Sequence, residues 1–77
     1  MEGEIILKVS ASQLASDLFN IVKNGGGFDE IGNYLNSLTP DDIIGIVGEG
    51  CGAVLDALEI YEALAPYIPM ILAFFAL

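Results

Sequence analysis

The segment Gly45-Ile46-Val47-Gly48-Glu49-Gly50-Cys51-Gly52 has the glycine density of a loop that cradles phosphate. Such a loop follows a strand and adds a lysine and a hydroxyl to its backbone N–H groups. Neither side chain is present here, and Glu49 would repel a phosphate. The 11 carboxylates are the second group with chemical potential. Paired acids hydrolyse glycosides across a cleft, with the carboxyl groups about 5–9.5 Å apart. A chain of 77 residues, 55% of them hydrophobic, offers no evident cleft. Calcium loops need alternating oxygen ligands and a closing Glu, and Asp29-Glu30-Ile31-Gly32 does not supply them. With no histidine, Ser-His and Cys-His nucleophiles are absent. Cys51, the single cysteine, has no internal disulfide partner; it reads as a small buried hydrophobe or, alternatively, as a thiol that joins copies. These residues predict a protein that is not an enzyme and uses no cofactor or metal.

Charge narrows the partners. The formal net charge is −9, and Lys8 and Lys23 are the only cations. Nucleic-acid binding depends on lysine and arginine releasing counterions from phosphates, so direct binding to DNA or RNA is not expected. Anionic lipid would repel the chain as well, which leaves hydrophobic contact as the route to any membrane. The start Met1-Glu2-Gly3-Glu4 lacks the basic residues of a secretory signal, and Ile5-Ile6-Leu7 is too short for its apolar stretch. Synthesis in the cytoplasm without a cleavable signal is the expectation, with an assembly or a membrane as the final location.

Helical elements must position these residues. Glu4 to Val9 has strand composition but no later strand to pair with, which predicts an extended arm over 1–9. Ser10 and Gln13 make a capping box, and Val9 and Leu14 occupy the staple positions around it. Leu14, Leu18, Ile21 and Val22 then share one face, and Asn24 with Gly25-Gly26-Gly27 stops a helix over about 11–24. Phe28, Ile31, Tyr34, Leu35 and Leu38 repeat at helical spacing, giving a second helix over about 28–37. Thr39-Pro40-Asp41-Asp42 combines an N-cap, a first-turn proline and two acids at the positive end of the helix dipole.

Beyond that start, Gly45, Gly48, Gly50 and Gly52 each cost up to about 1 kcal/mol in a helix interior. Yet Asp42, Glu49 and Asp56 recur every seven residues, and Gly45, Gly48, Gly52 and Glu59 fall on the same side of a continuous helix. The pattern predicts one long helix over about 40–64, with any bend at Gly48–Gly52; two helices are the alternative. On the long helix, Gly45, Gly48 and Gly52 would let a second helix approach closely.

Residues 63–77 carry no charge, and a final helix from about 67 to 77 would be apolar on every side. Fifteen residues at 1.5 Å each reach about 22 Å, short of the roughly 30 Å hydrocarbon core. A longer window brings in Glu59 and Glu62. Ile71, Leu72, Phe74 and Phe75 are the residues predicted to anchor assembly or lipid binding.

From Ile5 to Ile68 the layout resembles the saposin-like family. The matching features are a first amphipathic helix, a glycine turn, Phe28-Asp29-Glu30-Ile31 with Tyr34-Leu35 and Leu38, then Val54-Leu55-Asp56 and Pro66. The resemblance implies a small helical fold that binds or perturbs lipid. Of the family's six cysteines, only Cys51 stands where one could fall.

The expectation is therefore a single all-α domain over 1–77, with three to four helices, one long central helix and a short N-terminal extended arm. Its expected function is a self-assembling structural subunit, such as the coat protein of a filament or virus-like shell. A chain this short hides only about 60% of its surface when it folds alone, and burial between copies is the simplest way to cover the apolar surplus that remains. The alternative is a small lipid-interacting or membrane-embedded helical protein, saposin-like or bacteriocin-like, with lipid as the partner.

Overall fold

In the computed structural model, which describes residues 10–76, Ser10 caps the first helix with half of the expected box: the Ser10 hydroxyl accepts the Gln13 N–H at 3.2 Å, while the Gln13 side chain donates to Asp17. Helix α1 runs Ala11–Lys23 and stops where the Gly26 N–H reaches the Ile21 carbonyl at 2.8 Å and the Gly25 N–H reaches that of Val22 at 3.0 Å. This Schellman closure needs a left-handed residue after the cap, and Gly25 supplies it with φ 95°. Helix α2 spans Phe28–Asn36. Helix α3, Pro40–Glu49, starts with Thr39 and Asp42 bonded reciprocally, the side chain of each accepting the other's backbone N–H. Helix α4 is Cys51–Glu59, a 3₁₀ segment follows over Glu62–Tyr67, and helix α5 is Ile68–Phe75. The described residues contain no strand. The all-α class holds, and the arm over 1–9 lies outside the described residues.

The long central helix is not there. Gly50 ends α3 and starts α4, with φ 96° and ψ 156°, a conformation essentially reserved for glycine. Five short α-helices replace the three to four expected. The reason is burial. Val54, Ala57 and Leu58 on α4 are buried in one core with Leu14, Ala15 and Leu18 on α1. A straight rod from 40 to 59 would have to carry one of its halves away from that core. Burying each large side chain is worth about 1.5–3 kcal/mol, which outweighs a few helical hydrogen bonds that water replaces at the break.

Beyond α4 the chain also leaves the predicted path. The helix ends at Glu59, and the 3₁₀ segment that contains Pro66 turns the chain so that Pro69 falls in the first turn of α5. Leu64, Ile71 and Phe75 complete the core together with Ile31, Leu35 and Ile46. No described polar or charged residue is buried.

Candidate functional site

Helix α3 contributes only Ile46 to the buried core. One turn of it turns Ile44 (65% exposed), Val47 (39%) and Gly48 towards solvent. A helix whose apolar residues lie on both its inner and outer faces has more hydrophobic surface than one core can take. Ile60, just after α4, is 73% exposed. At the other end of the sequence pattern, Phe28 packs edge-on against Tyr67 with ring centroids 4.6 Å apart and is still 55% exposed.

The tail residues divide between two roles. Ile71 and Phe75 are buried in the chain's own core, Leu72 is half-buried against it, and Phe74 is 37% exposed beside Phe75, their ring centroids 5.1 Å apart. The final helix is thus apolar on every side because one side faces the core and another faces outwards. No helix of the described residues is long and apolar enough to cross a membrane.

The three glycines do not lie on one helix: Gly45 and Gly48 are in α3 and Gly52 is in α4. Gly48 and Gly52 stand on opposite sides of the break at Gly50, so their spacing of four no longer sets them on a shared face. Among the described residues, a Cβ at either position would meet nothing within 4 Å, and Gly45 is half-buried. Cys51, expected as a small buried hydrophobe, is exposed instead, because the break places it in the open first turn of α4.

Two polar links tie the helices together. The Tyr34 hydroxyl on α2 donates to Asp17 Oδ2 on α1 at 2.7 Å, and Gln13 Nε2 donates to Asp17 Oδ1 at 2.7 Å. Partial burial raises the Tyr34 hydroxyl above its ordinary pKa of 10.0, and the Asp17 carboxylate that accepts its proton adds to the rise. The Ala11 N–H at the start of α1 donates to Glu49 Oε2 at 3.0 Å. Neither link was legible in the sequence, since both join residues on different helices. Only the break at Gly50 puts Glu49 at the C-terminal end of a helix, where an acid is unfavourable unless something else holds it.

Among the described residues there is no pocket and no group of acids and cysteine arranged to hold a metal ion. What the described surface offers is a set of exposed apolar side chains, with Ile44 and Val47 sharing one turn of α3. Set against family models, curated proteins and solved structures, the chain matches none of them.

Proposed function

We propose that the protein is a non-enzymatic structural subunit that associates with copies of itself through the outer face of α3. The observation that supports this reading is the exposure of Ile44 and Val47 on one turn, beside the open Gly48, in a chain whose core is already filled by other residues. A second copy presents the same face, so a two-fold contact sets apolar against apolar without any new kind of partner. The carboxylates argue against anionic lipid, because 11 acids face only 2 cations in the whole chain. A filament or virus-like shell built from such contacts is the finer form of this proposal.

Association has to overcome the repulsion of nine net negative charges per copy. Salt shortens the reach of that repulsion from about 30 Å at 0.01 M to about 8 Å at physiological strength. The test is size-exclusion chromatography with light scattering across a salt series, with and without detergent, on the wild type and on Ile44→Lys/Val47→Lys. Assemblies that grow with salt and are lost in the double variant support the proposal. A chain that is monomeric at every salt concentration, or that becomes uniform only in detergent, overturns it and favours the lipid-interacting alternative.

A further inference from the structure

The fold consists of two halves joined at one residue. In the N-terminal half, α1 packs on α2, and Glu49 at the end of α3 holds the Ala11 N–H of α1. In the C-terminal half, α4, the 3₁₀ segment and α5 pack on one another. The halves meet where α1 lies against α4 and the 3₁₀ segment and where α3 lies against α4, and Gly50 is the whole of the covalent connection between α3 and α4.

That connection is in a conformation only glycine adopts readily, and no side chain caps the helix that follows it. The N–H groups of Cys51, Gly52 and Ala53 therefore lack helical acceptors. In a continuous helix they would donate to the carbonyls of Val47, Gly48 and Glu49. The seven-residue recurrence of Asp42, Glu49 and Asp56 also makes one face only if α3 and α4 are a single helix. One chain cannot straighten there and still keep α1 on α4, because the two sit on opposite sides of the joint. Two chains can.

We propose that two copies exchange halves about Gly50: residues 40–59 become one straight helix of about 30 Å, and α1 of each copy lies on α4 of the other. The occupant of each vacated interface is the identical half of a second copy, so Leu14 and Leu18 meet Val54 and Leu58 as they do within one chain. The exchange re-forms the packing of α1 on α4 between copies and gives the first-turn amides of α4 helical acceptors, while α3 and α4 of one chain give up their mutual packing as they become collinear. It rests on the self-assembly reading and supplies that reading with a dimeric unit, whose α3 faces remain free to join further copies.

The experiment compares the full-length wild type with Gly50→Ala and Gly50→D-alanine, prepared by ligation at the Gly50–Cys51 junction. L-alanine disfavours φ 96° and favours the helix, whereas D-alanine suits the positive φ and disfavours a right-handed helix. Each chain is unfolded, refolded from concentrated solution, and measured by light scattering and by amide hydrogen exchange. The expected result is a dimer for Gly50→Ala, with an association constant more than about tenfold above wild type, and slowed exchange at Cys51, Gly52 and Ala53. Gly50→D-alanine should yield fewer dimers than wild type. A folded, monomeric Gly50→Ala, or exchange at those amides unchanged in its dimer, overturns the proposal. Should Gly50→Ala fail to fold, the other pair decides: a Gly50→D-alanine chain that dimerises as wild type does, or a wild type with no dimer, overturns it. Wild-type assemblies that ignore residue 50 but vanish in Ile44→Lys/Val47→Lys would overturn the exchange and leave the α3-face reading standing.

Discussion

Glu49 and Ala11, 38 residues apart, are joined by a 3.0 Å hydrogen bond from the Ala11 backbone N–H to the Glu49 carboxylate. The carboxylate lies at the negative end of α3 and at the positive end of α1, so the second helix offsets what the first disfavours. Glu49→Ala removes a charged acceptor and leaves an amide without it, which should destabilise the fold by about 1–2 kcal/mol. Glu49→Gln keeps an acceptor but not the charge, and should lose less than half of that. Urea denaturation checks both, and two variants as stable as wild type would show that the bond carries no stability.

Tyr34 and Asp17 give an alkaline prediction. The folded-state pKa of the Tyr34 hydroxyl lies above its ordinary 10.0, so its stabilising contribution is complete below pH 10 and is lost as pH rises beyond it. Tyr34→Phe should cost about 1 kcal/mol at pH 7, since Asp17 keeps only the Gln13 donor. The stability difference between wild type and Tyr34→Phe should narrow at sufficiently alkaline pH, which denaturant titrations from pH 8 upwards would measure.

At the acid end the relevant group is Glu30. Its Oε1 accepts the Gly27 N–H at 2.8 Å, and this bond, followed by that of its own backbone N–H, lowers its pKa below the ordinary 4.5. A lowered folded value means stability that is present above pH 4.5 and lost as pH falls through the folded value. Glu30→Gln keeps the acceptor without the titration. Its unfolding curves should therefore depend less steeply on pH below 4.5 than those of wild type.

The last helix carries two phenylalanines in different surroundings. Phe75 is buried and Phe74 is exposed beside it. Phe75→Ala should destabilise the protein by about 3–5 kcal/mol, the usual range for a core phenylalanine. Phe74→Ala, at a partly exposed ring, should change stability by less than about 1 kcal/mol. Removing residues 70–77 takes Ile71 and Phe75 out of the core together and should unfold the chain rather than release a smaller soluble species. Thermal melts with light scattering on the same samples would distinguish the two phenylalanines.

The local punctuation of this chain was readable from residues within about four positions of one another. Ser10 with Gln13, Thr39-Pro40-Asp41-Asp42 and the glycines after Asn24 start and stop helices where they were expected, because caps and Schellman closures are made by near neighbours. The all-α class follows from the same periodicities. The break at Gly50 was not readable in this way: the acid and glycine stripe is equally consistent with a straight helix, and the choice depends on α1 standing ready to bury Val54 and Leu58. The same holds for the tail, where Ile71, Phe75, Leu72 and Phe74 are equally apolar as residues and only packing decides which face inwards. Cys51 is exposed and Glu49 is bonded to Ala11 because of where separate helices come to rest. Helix ends obey short-range hydrogen bonding, which the sequence states by itself; the partition of its apolar surplus between core and surface is a property of the packed helices, and the tertiary structure alone decided it.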